Sequence, residues 1–165
     1  PEHPLTEEAH VRKIASLLHQ KKYKETLETC QTFLDRHSAS SWKGEILYLR
    51  GEVFFEEGDF PAALKTYEES LREEGEKPWR PLARLNQGWS YFKMKEINKA
   101  LPIFQELSEE EMTRDSALFG VALSYRSQEK YEEAILVLEK LLKHPSQKEW
   151  HNKALLEKAE IEYKF

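Results

Sequence analysis

The sequence predicts an all-α fold in which antiparallel helix pairs stack as a solenoid of about nine helices. Three observations carry this reading. First, a pattern of small residue, aromatic residue, tight turn, aromatic residue and alanine runs through Gly51-Glu52-Val53-Phe54-Phe55-Glu56-Glu57-Gly58-Asp59-Phe60 to Ala63 and Tyr67, and it recurs along the chain. Second, the two small residues of each copy stand twelve apart on either side of the turn: Gly51 and Ala63, Gly88 and Ala100, Ala122 and Ala134, with Ile14 and Thr26 in a weaker first copy. Third, the second of these positions repeats at intervals of 37, 37 and 34 residues, a period at which a helix pair marks a helical solenoid.

In chain order, residues 1–5 read as an extended arm. Thr6-Glu7-Glu8 opens a helix with acids against its positive end, and Tyr23 to Arg36 forms its partner, so the first pair covers 6–36. The segment 37–41 is a linker. The second pair covers 42–73; Gly58 supplies the left-handed residue that ends one helix, Asp59 caps the next, and Pro61 sits in its first turn, where a missing N–H costs nothing. Residues 74–78 break the chain. The third pair covers 79–107, with Pro102 expected to bend its second helix without breaking it. Ser108-Glu109-Glu110-Glu111 reads as a capping box that opens the fourth pair, 109–143, and Ser146-Gln147-Lys148-Glu149 as another that opens a terminal helix over 148–164. That last helix has the pattern of a first helix without a partner, so it is either a cap or the cut end of a longer array. Its stripe of Leu155, Leu156, Ile161 and Tyr163 is expected to dock in part on the fourth pair and to stay open in part.

Trp42, Trp79 and Trp150 each precede the small residue of their copy by nine, a register that suits rings plugging the gaps between successive pairs. The pattern small-x-x-aromatic, turn, aromatic-x-x-Ala-x-x-x-aromatic resembles the tetratricopeptide repeat over nearly the whole chain. The linkers loosely resemble those of bacterial cell-envelope members of that family, the Tol-Pal coordinator and the outer-membrane-assembly lipoproteins. The best match is Phe33-Leu34-Asp35-Arg36-His37-Ser38, followed by Gly51 and Gly58-Asp59-Phe60. The resemblance implies a single right-handed superhelical domain over 1–165, with the first helix of each pair lining a concave face. It implies an interaction scaffold and not a chemistry. A periplasmic or cell-envelope location is the expectation from the linkers, with the cytoplasm as the alternative.

The composition fits this reading. Charged residues make up 33% and aromatics 12%, which suits a folded chain. The net charge of −5 speaks against a phosphate-backbone partner, since nucleic-acid binders carry a basic face. No apolar run reaches the roughly 18 residues of a spanning helix, so no direct membrane insertion is expected. The chain opens Pro1-Glu2-His3-Pro4 without Met, which reads as a processed or trimmed piece and leaves a removed secretion signal open. Cys30 is the single cysteine; it excludes an internal disulfide and aligns with Tyr67, Phe104 and Leu138, a core register.

No constellation for catalysis emerges, so the chain is expected not to be an enzyme and to need no cofactor and no metal. The histidines, 3, 10, 19, 37, 144 and 151, form no metal-binding pair around a catalytic Glu; His10 and His19 share a helix face without a third ligand and read as solvated. No Gly-rich phosphate loop is present. The acid runs at 56–57, 73–74 and 109–111 lie at helix ends and lack the alternating oxygen ligands of a calcium loop.

The inner stripe implied by the resemblance falls three before, one after and four after each small residue. It reads Val11, Ala15, Leu18; Tyr48, Glu52, Phe55; Leu85, Trp89, Phe92; Phe119, Leu123, Arg126; and Leu156, Glu160, Tyr163. Trp89, directly after Gly88, is expected to project into the groove. An aromatic-lined groove of this kind suits an apolar or amphipathic peptide or helix of another protein, with Arg126 and Lys93 at one end and Glu52 at the other setting its orientation. Family members that clamp chaperone C-termini use Lys, Asn and Arg on this face; here Asn86, Lys93 and Arg126 are accompanied by Glu52 and Glu160, so a carboxylate clamp is not expected. The alternatives are a structural subunit that self-associates through its terminal helix and a regulatory piece of an enzyme whose site lies elsewhere.

Overall fold

The computed structural model describes residues 4–143 and 148–164, with side chains from Glu7 onward. Among the described residues there are nine helices and no strand. They are α1 (Pro4–His19), α2 (Tyr23–Arg36), α3 (Lys43–Glu56), α4 (Phe60–Leu71), α5 (Arg80–Lys93), α6 (Ile97–Leu107), α7 (Arg114–Ser127), α8 (Tyr131–Lys143) and α9 (Lys148–Lys164). None of them is long and apolar enough to cross a membrane. The chain forms two compact units, Pro1–Ser90 and Tyr91–Phe165, which meet in sequence within α5.

Two helix starts differ from the sequence reading by two residues or more, while α3 and α5 each begin one residue later than expected. α1 begins at Pro4 instead of Thr6, so Pro4 and Leu5 belong to a helix and not to an arm; proline's fixed φ and missing N–H suit a first helical position. α7 begins at Arg114, five residues after Glu109. The reason is that Ser108 ends the helix before it. Its backbone N–H donates to Phe104 O at 2.9 Å and its Oγ to Gln105 O at 2.8 Å, so it closes α6 and does not cap α7. Thr113 is the N-cap residue of α7, with its hydroxyl donating to Leu107 O. The second capping box, at Ser146, lies outside the described residues. α6 runs through Pro102 unbroken.

The turns inside the helix pairs share one geometry. At Gly58 the backbone turns left-handed (φ 80°), the Gly58 N–H donates to Phe55 O and the Asp59 N–H to Phe54 O. This pair of hydrogen bonds satisfies orphan carbonyls of a helix end. Lys21, Lys95 and Glu129 take the same left-handed conformation at φ 57°, 63° and 61° and make the same two bonds. Their spacings from Gly58 follow the repeat, yet only Gly58 carries the residue type that announces such a turn. Asp59 Oδ1 accepts from the Ala62 N–H at 3.1 Å, the cap that the sequence anticipates.

In the first unit, Val11, Ile14, Cys30, Phe33, Ile46 and Leu49 form one core cluster, with Trp42 packed against it. A second gathers Ala63, Tyr67, Trp79 and Ala83, with Tyr48, Phe54 and Phe55 at its edge. Glycines seat two of these rings. A Cβ on Gly51 would stand 2.5 Å from Tyr67 Cε1, and one on Gly44 2.6 Å from Trp79 Cζ2. Ser70 Oγ donates to Gly44 O at 2.8 Å and ties α4 to α3 beside the Trp79 seat. In the second unit, Leu118, Ala122, Ala134, Leu138, Leu141, Ala154 and Ile161 form the core. Trp150 packs on its margin, and Gly120 seats the Phe104 ring, with a Cβ on it 2.7 Å from the ring. Small residues thus work as seats for single rings, including at Gly44 and Gly120, outside the twelve-residue frame. Cys30 is fully buried, and burial pushes its thiol up to about 12, as a core residue requires.

Candidate functional site

In the first unit the second copy of the inner stripe lies on α3, and the third, as far as Trp89, on α5. Tyr48, Glu52, Phe55 and Trp89 are half-buried, whereas Leu85 is 6% exposed and supports the face from below instead of presenting it. Tyr48 stacks on Trp79, with ring centres 6.3 Å apart and planes 13° apart, and Phe55 meets Phe60 edge-on at 5.4 Å. The edges of these two rings that remain open belong to side chains packed against neighbours from other turns.

Glu52 is the hub of this face. Its carboxylate accepts hydrogen bonds from the Tyr67 hydroxyl, from Asn86 Nδ2 at 2.6 Å and from the Tyr48 hydroxyl at 3.3 Å, so α3, α4 and α5 meet on one group. Burial pushes its carboxyl above the ordinary range, against the three hydrogen bonds that favour the anion. Both phenols are raised as well, first by burial and then by the Glu52 charge, so they stay protonated and donate. The sequence reading has Glu52 and Asn86 as free groups on a groove floor. In the structure each is the other's partner. A Glu one residue past a close-packed Gly, with an Asn 34 residues on at the same face of the next first helix, is the signal that could have shown this pair.

In the second unit, Phe92, Phe119 and Leu123 are half-buried. Phe119 lies 5.7 Å from the Trp150 ring. Arg126 is not a free charge: its Nη1 stands 2.5 Å from Glu157 Oε1 and 3.4 Å from Glu160 Oε2. The Glu157 oxygen is buried, and this short contact gives it a positive partner. Burial raises the Glu157 carboxyl, and Arg126 opposes that rise. Arg126 thus fastens α9 to α7. On α9 itself Ile161 is 2% exposed, while Leu156 (64%) and Tyr163 (93%) stand open beside Glu160.

Of the stripe's first copy, Val11 is buried, Leu18 half-buried and Ala15 exposed. His10, expected in solvent, instead lies 6.0 Å from the Phe33 ring and 6.2 Å from His37. Among the described residues no three His, Cys, Asp or Glu side chains converge as a metal site would require.

The family profile described as tetratricopeptide repeat matches residues 48–110 and 85–149. No match is found among curated proteins. Several solved structures share the fold. MamA (41-end) from Desulfovibrio magneticus RS-1 is 18% identical, with 95% of this chain and 93% of that chain covered and a TM-score of 0.71. The pilF protein of Pseudomonas aeruginosa is 18% identical, with 96% and 68% covered and a TM-score of 0.77. YrrB, described as a protein of this repeat type with an unusual peptide-binding site, is 18% identical, with 94% and 76% covered and a TM-score of 0.71.

Proposed function

The chain belongs to the tetratricopeptide repeat family, and from that premise we propose that it is a non-catalytic interaction module that takes an apolar or amphipathic segment of another protein on the inner face of its first helices. The family is generally one of non-catalytic scaffolds, which supports the absence of a reaction. The observation that carries the finer reading is the set of half-exposed rings at stripe positions within each unit: Tyr48 and Phe55 on α3 with Trp89 on α5 in the first, and Phe92 and Phe119 in the second. Rings already placed by packing lose little entropy on binding, and Trp and Tyr are among the residues that most often anchor interfaces. Specificity in this reading comes from the shape of the ring edges. Glu52 in the first unit and Arg126 in the second already have partners, so neither steers a guest. A bacterial cell-envelope assembly is the setting we favour, on the likeness of the linkers around Phe33–Ser38.

The test is selection of peptides from a displayed library on the intact chain, followed by affinity measurement against Trp89→Ala. Loss of a central ring anchor should weaken binding by about 2 kcal/mol or more. If the selected peptides bind the variant equally well, or if weakening tracks unfolding, the inner-face assignment fails. A second reading, self-association through α9, is favoured by the exposure of Leu155 (48%), Leu156 (64%) and Tyr163 (93%). Light scattering over a range of concentrations separates the two, since only self-association raises the mass.

A further inference from the structure

A second apolar recess lies in the second unit, on α8 and α9, and the inner stripe does not include it. The groove measures about 620 Å³ and has Tyr131, Ile135 and Ile161 as its apolar lining. Its rim is acidic: Glu129, Glu132 and Glu133 stand on the α8 side and Glu162 on the α9 side. The first three are exposed, and so is Glu162, which meets Lys158 at 3.4 Å. Lys130 also stands on the rim, but its ammonium sits over the Tyr125 ring at 5.9 Å, and Lys158 is shared between Glu162 and Glu139. Four carboxylates therefore surround an apolar floor, with Lys130 drawn aside and Lys158 touching Glu162 alone among them.

The geometry points to this groove as a docking site for a Lys/Arg-rich amphipathic helix of another protein. Charge selects the occupant. Like carboxylates facing one another across an apolar floor repel and raise the local negative potential; a helix that lays an apolar ridge on Tyr131, Ile135 and Ile161 and carries cations along both flanks relieves it. Tyr131 and Ile135 stand four apart on α8, the spacing at which a helix presents successive anchors of its own. A second copy of the chain offering the same groove would bring two acidic rims together, which opposes that pairing. The site is independent of the inner face: it shares none of the rings Tyr48, Phe55, Trp89, Phe92 and Phe119, and either site can fail without the other.

The probe is a fluorescein-labelled peptide of leucine and lysine at amphipathic-helix spacing, with a leucine–glutamate peptide of the same pattern as its counterpart, measured by fluorescence anisotropy at physiological salt. The wild-type chain should bind the lysine peptide and not the glutamate one. Glu132→Lys with Glu162→Lys reverses the rim on both sides and should weaken binding by about tenfold or more. Glu56→Lys with Glu57→Lys changes the net charge equally at an exposed turn of the first unit and should change it by less than about twofold. Amide shift changes on titration should centre on residues 129–135 and 159–163. Equal weakening by the two double variants would overturn the proposal, because it would show attraction to net charge alone. So would shift changes centred on α3 and α5, or displacement of the lysine peptide by a second copy of the chain.

Discussion

Gly51→Ala tests the close packing that organises the first unit. The added methyl would lie 2.5 Å from Tyr67 Cε1, 2.7 Å from Cδ1 and 3.1 Å from Cζ. Carbon atoms settle at roughly 3.5–4.0 Å, so the ring would have to retreat by about 1 Å. It has nowhere to go: Tyr67 is fully buried and its hydroxyl is held by Glu52. Overpacking of this kind costs about 1–3 kcal/mol. Against it stands the gain of replacing a mid-helix glycine by alanine, about 1 kcal/mol. The net expectation is a loss of about 1 kcal/mol, a small figure made of two larger opposed ones. Tyr67→Leu separates them. Once the ring is gone the same substitution should stabilise the chain by up to about 1 kcal/mol, so its effect changes sign with the background. Urea unfolding of the four chains, followed by far-ultraviolet circular dichroism, gives the cycle. If Gly51→Ala stabilised both backgrounds equally, Gly51 would be an ordinary helical glycine and the seat assigned to Tyr67 would be wrong.

Three further outcomes follow from the geometry. Because the Glu52 carboxyl is raised by folding, the native state binds its proton more tightly than the unfolded chain; its contribution is greatest below the unfolded value of about 4.3 and is lost as pH rises through the folded value. Stability of the wild type relative to Glu52→Gln should therefore fall as pH rises across that window, and a flat difference in urea midpoints would refute the burial of this group. Lys95→Gly and Glu129→Gly should each stabilise by roughly 0.5–1 kcal/mol, since a left-handed conformation costs a residue with Cβ about 1–2 kcal/mol and glycine's greater unfolded freedom returns part of that; a rise in thermal midpoint checks both. Arg126→Ala strips the partner from the buried Glu157 oxygen and should cost roughly 1–2 kcal/mol, with α9 amides losing protection against hydrogen exchange before those of α7. Glu157→Gln in the same chain should recover part of that loss.

The helix pairs are legible in the sequence because what marks them is local. Gly58, Asp59 and Pro61 end one helix and start the next within four residues, and the alternation of rings and small residues shows which faces turn inward. Cys30 could be placed in the core by its register with Tyr67, Phe104 and Leu138, and it is fully buried. The α7 start was misread for a local reason as well, since Ser108 can serve either helix, and only its hydrogen bonds to Phe104 and Gln105 decide that it closes α6. Lys21, Lys95 and Glu129 carry no chemical sign of a left-handed turn; their spacing from Gly58 was the one trace. The functional face was read less completely because a charge's partner is not written beside it. Glu52 finds Tyr67 fifteen residues away and Asn86 thirty-four away, and Arg126 finds Glu160 at thirty-four. Periodicity placed these groups on the same face. Whether they meet, and so whether each is a free charge or a spent one, depends on how closely neighbouring helices pack, and that distance is set by which ring fills which glycine seat.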